Sequence, residues 1–279
     1  MTLVDLARRL AKIPPFREED RIGRLIRPLY HRGLSAASER SGIARTINGQ
    51  TFHWRYPFSQ FDAEDEAPVL AAFQGLIRPG MTVFDIGANF GLYTLPAARA
   101  VGDLGRVYAF EPALDTAEVL ADHLRLNRLE ARVEVVPLAV SDASGEVEFW
   151  EQGTSPFASL SRSAAGRSVL LSGRAETDPR VVKTTSLDDF CSARGVLPDV
   201  VKVDVEGAEA KVLRGARLLL RRRACVILLE AHLSVLQEFG DSHEALLAGL
   251  DSSGWACDVV FRRGEEGDPN ATVHYLCRP

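Results

Sequence analysis

Apolar residues in this chain gather into short runs separated by longer stretches of mixed character. From Met81 onward, the runs 82–86, 106–110, 132–138, 200–205 and 224–231 are rich in Val, Ile, Leu and Phe and read as strands. Between and after them, 91–101, 113–126, 208–222 and 242–253 read as helices. Alternation of this kind predicts an α/β domain, with a parallel sheet covered on both faces and right-handed crossovers. The last two strand-like runs, 256–262 and 272–277, flank the turn-rich stretch 263–270. A hairpin there would add an antiparallel strand to the sheet edge.

The alternation is interrupted in two places. Residues 1 to about 45 are helical in character but punctuated by Pro14-Pro15, Pro28 and Gly33. Thr46-Ile47-Asn48-Gly49-Gln50-Thr51 then carries an Asn-Gly pair between β-prone residues, a hairpin signal. These 60 residues are expected to form an appendage of short helices and a hairpin, with the main domain over 61–279. That domain opens on a helix, 62–77, capped by Asp62 and ended near Pro79-Gly80. The second interruption lies after the third strand, where the strand-like pieces 145–151 and 181–185 enclose a loop, 153–179, rich in Ser, Gly and Arg. Loops of this length are functional or disordered, and both a substrate cover and exposed decoration are open.

Composition narrows the class without choosing a function. The 279 residues are 46% apolar and 25% charged, ordinary for a protein with a sizeable core. A net charge of −5 offers no broad basic field for nucleic acid. Apolar runs are too short to span a bilayer, and Asp5, Arg8 and Arg9 interrupt any secretory core near the start. The four cysteines, Cys191, Cys225, Cys257 and Cys277, are widely spaced and form no CxxC pair, which favours reduced thiols in a soluble, cytoplasmic protein.

Candidate chemistry begins at Thr82-Val83-Phe84-Asp85-Ile86-Gly87-Ala88-Asn89-Phe90-Gly91, a strand, a two-glycine turn and a helix start. In open α/β sheets such a unit places a ligand at the carboxyl end of the strand. A dinucleotide fingerprint beginning at Gly87 would need glycines at 89 and 92, where the chain has Asn89 and Leu92, and no P-loop Lys-Ser/Thr pair follows. The turn suits a ligand with an amino-acid end and a ribose but no pyrophosphate, as in S-adenosylmethionine. A plain structural βα turn is the competing reading. Glu111 ends the second strand 24 residues after Gly87, near the distance at which such domains place a ribose-binding acid, and Pro112 follows it. Asp85 is expected to order the turn and face the ligand's ammonium. Asn89, Tyr93 and Thr94, at the start of the helix, suit its carboxylate, although Tyr93 equally fits helix packing. Ala139 and Val140 lie where adenine would meet the sheet edge. Asp142 either accepts from the adenine amino group or begins a turn to Gly145.

A second signal is Val201-Lys202-Val203-Asp204-Val205-Glu206-Gly207-Ala208-Glu209. Strand periodicity puts Lys202, Asp204 and Glu206 on one side, the two acids at the carboxyl end. Such charges on a half-buried strand are costly unless paired or functional. A general base with its partner, ligands for a hard divalent cation, and a Lys202–acid pair with a helix cap are all compatible; no metal site is assigned. After the fifth strand, Glu230 and His232 reach the same sheet edge, and His232 can take a proton from a hydroxyl.

Together these stretches resemble the FkbM family of S-adenosylmethionine-dependent methyltransferases. The matching pieces are 79–89, Phe110-Glu111-Pro112, Thr185-Ser186-Leu187-Asp188-Asp189, the 201–209 string and Leu229-Glu230. The resemblance implies a seven-stranded class I methyltransferase fold, Rossmann-like, and methyl transfer to a hydroxyl of a sugar or natural product. In-line attack on an electrophilic methyl needs a proton acceptor, and Asp204 is the first candidate for the base or its partner, with Glu206 and His232 behind it. Residues 1–60 match no motif and are where a substrate-specific cap would lie. A small-molecule acceptor is expected, with neither nucleic acid nor membrane as partner; homo-oligomerisation stays open. An NAD-dependent oxidoreductase would also use Glu111, and a non-catalytic nucleoside-binding protein of the same fold would keep Asp85 and Glu111.

Overall fold

The computed structural model describes residues 35–36, 38–60, 66–149, 179–264 and 271–279. The expected helices before residue 35, the Asp62 cap and the 153–178 part of the long loop lie outside the described residues. The chain divides into two compact units, Met1–Ala63 and Glu64–Pro279, against an expected boundary at 60/61. In the first unit, β1 (Ile43–Ile47) and β2 (Gln50–Trp54) form an antiparallel hairpin with Ile47 opposite Gln50. Asn48 and Gly49 both have positive φ, 47° and 75°, as a two-residue turn that follows the strand twist requires.

The second unit is built on β3 (Thr82–Ile86), β4 (Arg106–Phe110), β5 (Val133–Val136), β9 (Val200–Val203), β10 (Val226–His232), β11 (Ala256–Arg263) and β12 (Thr272–Arg278). Their order across the sheet is β11-β12-β10-β9-β3-β4-β5. The five strands from β5 to β10 are parallel, while β12 is antiparallel to both its neighbours. The expected terminal hairpin is present, but its second strand takes the interior place. Burial explains this: six consecutive residues of β12 are buried, whereas β11 is largely exposed and tolerates the edge. Three further strands, β6 (Ala139–Val140), β7 (Gly145–Phe149) and β8 (Arg180–Thr185), make a separate small sheet in the order β6-β8-β7.

Helices α1 (Ala67–Leu76), α2 (Thr94–Val101), α3 (Leu114–Leu126), α4 (Leu187–Arg194), α5 (Glu209–Arg214), α6 (Arg217–Arg222), α7 (Leu233–Glu238) and α8 (His243–Ser252) connect the strands. The core beside the central strands is aromatic. Phe84, Tyr108 and Phe110 meet Phe190 edge-to-face, with ring centroids 4.8–5.6 Å apart. None of the helices among the described residues is long and apolar enough to cross a membrane.

Three expectations need correction. The single helix expected over 208–222 is two helices, broken at Gly215–Ala216. A Cβ at Gly215 would overlap the carbonyl oxygen of Ser141, and the Gly215 carbonyl accepts from the Asp188 N–H at 3.0 Å. The helix expected to begin at Gly91 begins at Thr94, because Asn89 (φ 49°) and Gly91 (φ 102°) hold the preceding residues in a turn. The cysteines are not all reduced: the β11–β12 register sets Cys257 opposite Cys277, and the two are joined in a disulfide. Twenty residues of sequence separation conceal that pairing. Cys191 and Cys225 are free and buried, and burial pushes their thiols up to about 11 and about 12.

The Ser186-Leu187-Asp188 element is structural. Ser186 caps α4 by accepting from the Asp189 N–H, and the Asp188 carboxylate accepts from the N–H groups of Leu218 and Leu219 at the start of α6, at 2.8 and 3.0 Å. Replacing Asp188 with Ala should therefore cost about 1–2 kcal/mol, read as a lower urea midpoint with an unchanged m value.

Candidate active site

The parallel strands end on one edge, and there the backbone closes a turn around a cleft. The N–H groups of Gly87 and Ala88 both donate to the Phe110 carbonyl at 3.0 Å, and the Asp204 N–H donates to the Ile86 carbonyl at 3.1 Å. A Cβ at Gly87 (φ 78°) would overlap the Asp204 carbonyl oxygen, so only glycine lets the two strand ends approach this closely. Glu111 is buried at the cleft wall. Its two carboxylate oxygens accept from the backbone N–H groups of Asn89 and Ala113, each at 2.9 Å, which fixes the orientation of the carboxylate. The opposite wall is apolar, formed by Leu138, Ala139, Val140 and Phe149.

Below the turn runs a buried polar network. Lys202 stands opposite Asp85 in the β3–β9 register and is 3% exposed. Its Nζ donates to Asp204 Oδ2 at 3.0 Å, lies 3.9 Å from Asp85 Oδ1, and sits 4.4 Å from the centre of the Tyr93 ring. Burial works against the lysine's charge, but Asp204 and Asp85 outweigh it and hold the ammonium above its ordinary range. Asp85 is fully buried and accepts from the Thr94 hydroxyl at 2.6 Å; burial raises its carboxyl despite Lys202. The Tyr93 hydroxyl donates to Glu66 at 2.7 Å, and burial with the Glu66 charge pushes the phenol far up, leaving it a donor.

Where β9 and β10 end, the network opens into an acidic corner. His232, 8% exposed, donates from Nδ1 to Glu209 at 2.8 Å, and the same Glu209 oxygen accepts from the Gly207 N–H. Its Nε2 lies 3.4 Å from Glu206, 3.8 Å from Glu230 and 3.9 Å from Asp204. Burial would strip the imidazole of its proton, but Glu206 and Glu209 raise it well above its ordinary value. Burial lifts the Glu206 carboxyl to about 7, and Asp204 is raised for the same reason. Glu230 goes the other way: the contact with His274 and the charge of His232 overcome burial and hold it low. Glu206 adopts φ 51°, in the left-handed region, and Gly207 follows at 102° with no room for a Cβ beside Val235. Strained backbone of this kind persists where the surroundings enforce it, often at functional sites.

Gly87, Asn89, Glu111, Pro112, Ala139, Val140, Asp204 and Glu206 line one cleft. Asp85, Ala88, Gly91, Tyr93 and Thr94 are not among its lining residues; Asp85, Tyr93 and Thr94 belong to the buried network around Lys202. Asp142 is exposed, receives the Ser141 hydroxyl and lies 4.0 Å from Arg214. His232 sits one layer beneath, against Glu206. Sequence reasoning passed over five residues of this site, Leu138 on the apolar wall among them. Glu209 lay unassigned inside a quoted motif. Phe149 ends an alternating strand with no cue to its neighbours. Glu66 and His274 reach the network from elements remote in sequence.

A seven-stranded mixed sheet in this order, with an acid-ended second strand facing a glycine turn, is the class I methyltransferase architecture. The FkbM methyltransferase domain matches residues 85–257, more than half of the chain, and the chain belongs to that family. It is 34% identical over 183 residues to the hexuronic acid methyltransferase AglP of Haloferax volcanii, a match covering 64% of this chain and 66% of that protein, just under two thirds of its length. Among solved structures, the FkbM methyltransferase of Methylobacillus flagellatus shares 14% identity and a TM-score of 0.46, over 92% of this chain and 61% of that one. A putative rRNA methylase of Clostridium thermocellum shares 10% identity at the same TM-score, over 77% and 95%.

Removing the Lys202 charge tests the network. Lys202→Met leaves Asp85 and Asp204 without their cation and should destabilise the fold by about 3–5 kcal/mol near neutral pH. Both carboxyls already stand above their unfolded values and would rise further, so the folded state binds the extra protons and stability falls as pH rises through that range. The deficit against wild type should shrink between pH 8 and pH 5, measured by thermal unfolding in matched buffers.

Proposed function

We propose that this chain transfers a methyl group from S-adenosylmethionine to a hydroxyl of a small, sugar-like acceptor. One observation carries the reading: Glu111 and the acids Asp204 and Glu206 line the same cleft, so a ribose-binding carboxylate and a proton acceptor face one space. The walls suit the donor. Glu111 has the lone pairs and fixed orientation to receive ribose hydroxyls, and Leu138, Val140 and Phe149 offer an apolar slot for a purine. No glycine occupies positions 89 and 92, where a pyrophosphate would need one. When bound, S-adenosylmethionine supplies a methyl group already made electrophilic by its sulfonium.

The protein's share is then alignment and proton removal. Proximity of donor and acceptor is worth several kcal/mol of barrier, about 7–11 at best. Asp204, at the cleft and raised by burial, is the first candidate to receive the hydroxyl proton or to orient the group that does. Glu206, poised near neutrality, stands beside it. The likeness to a hexuronic acid methyltransferase supports an acceptor of the uronic-acid or sugar class.

Calorimetry with S-adenosylhomocysteine and, in parallel, NAD tests the donor. Wild type should bind the former, and Glu111→Ala should weaken it at least about tenfold, or ~1.4 kcal/mol; binding of NAD alone would sink the reading. A screen of hexuronic and neutral sugar acceptors tests the transfer. There Asp204→Asn should lower kcat by about 100-fold or more while the homocysteine analogue still binds. Unchanged turnover would remove Asp204 from the reaction.

A further inference from the structure

The acidic corner has a feature that proton transfer alone does not need. In each of His232, Glu230 and Asp204, one side-chain atom is held by a neighbour and another is left facing inward. His232 Nδ1 donates to Glu209 at 2.8 Å, Glu230 Oε2 lies 2.9 Å from His274 Nε2, and Asp204 Oδ2 accepts from Lys202 at 3.0 Å. The remaining atoms make no hydrogen bond among the described residues. Of these, His232 Nε2 is 3.8 Å from Glu230 Oε1 and 3.9 Å from Asp204 Oδ1. His232 and Glu230 are only 8% and 6% exposed, and the same Nε2 lies 3.4 Å from Glu206, so four side chains converge on one enclosed corner.

We propose that Asp204, Glu230 and His232 are the protein ligands of a divalent cation. One donor atom from each lies within 4.8 Å of the others. Two donors on a single ion at about 2.0–2.6 Å can be no more than about 5 Å apart, so one ion spans all three with small side-chain adjustments. Each ligand already has an outer neighbour of the kind a metal ligand needs: the Glu209 carboxylate on the far nitrogen of His232, the Lys202 ammonium on the far oxygen of Asp204, and the His274 imidazole 2.9 Å from the far oxygen of Glu230. Charge points the same way. Asp85, Asp204, Glu206, Glu209 and Glu230 share a buried network with one lysine and two imidazoles.

One imidazole and two carboxylates suit Mn²⁺ or a similar borderline-hard ion, and three protein ligands leave positions open. Asp204 also lines the cleft, so an ion held by it would border that cleft. If the methyl-transfer reading holds, on which this last step rests, the acceptor is a chelating one, with a second hydroxyl or a carboxylate beside the reacting oxygen. Asp204 then acts through the ion, and Glu206, 3.4 Å from His232 Nε2, is left to receive the proton.

Mn²⁺ titration of the full chain, followed by electron paramagnetic resonance and calorimetry without donor or acceptor, tests the site independently of catalysis. One ion per chain is expected, with spin-echo modulation from a coordinated imidazole nitrogen. Glu230→Gln and His232→Ala should each weaken binding at least about tenfold, with folding checked by circular dichroism; if either variant misfolds, the nitrogen modulation in wild type decides. Glu111→Ala should keep Mn²⁺ while losing S-adenosylhomocysteine, which separates the cation site from the donor site. Absence of a stoichiometric ion, an ion without the nitrogen signal, or unchanged affinity in folded Glu230→Gln would overturn the proposal.

Discussion

The ammonium of Lys202 is the interaction on which the rest of the site depends. It is buried in the middle of a parallel sheet, where an unpaired charge is not tolerated. Its partners come from two strand ends: Asp85 in β3 and Asp204 just after β9, with the Tyr93 ring against its flank. The turn after β3 and the acids after β9 are thereby held by a single cation. Breaking a buried pair costs more than forming one gains, since the surviving charge is left in a poor medium. This asymmetry makes the arrangement rigid even if its net contribution to stability is small.

Rigidity there is matched by close backbone approach above it. Gly87 lies against the Asp204 carbonyl, and Gly207 against Val235, each with no room for a side chain. Between them Glu206 is forced into left-handed backbone, which turns its carboxylate toward His232 rather than along the strand. The cleft thus sets Glu111, oriented by two backbone N–H groups, and a corner of acids around one imidazole along the same sheet edge. On the proposed methyl transfer, Glu111 would face the donor's ribose and the acids the acceptor's hydroxyl.

Much of this could be read along the chain, for identifiable reasons. The strands 82–86 and 106–110 appear with the expected bounds because a buried parallel strand is a short, mostly apolar run. Glu111 stood out because it follows such a run at a characteristic distance from a glycine turn. The hairpin at Asn48-Gly49 was legible because only a few dipeptides accept two positive φ values. What failed to show was set by neighbours distant in sequence. Gly215 breaks a helix because the Ser141 carbonyl is packed against it, and Cys277 meets Cys257 because β12 enters the sheet beside β11. Asp188, quoted only as part of a matching stretch, spends its carboxylate on the first turn of α6.

The sequence by itself determined the class of fold, the position of the glycine turn and the acids that end the second and fourth strands. Those follow from local periodicity and from residue types that few backbone environments accept. Only the tertiary structure decided how the acids divide their work. Asp85 faces inward to Thr94 and Lys202, Glu209 holds the far side of His232, and His274 arrives from an antiparallel strand to face Glu230. Which atoms of a carboxylate or imidazole are engaged and which converge depends on side chains brought together across four strands. One-dimensional spacing carries no trace of that.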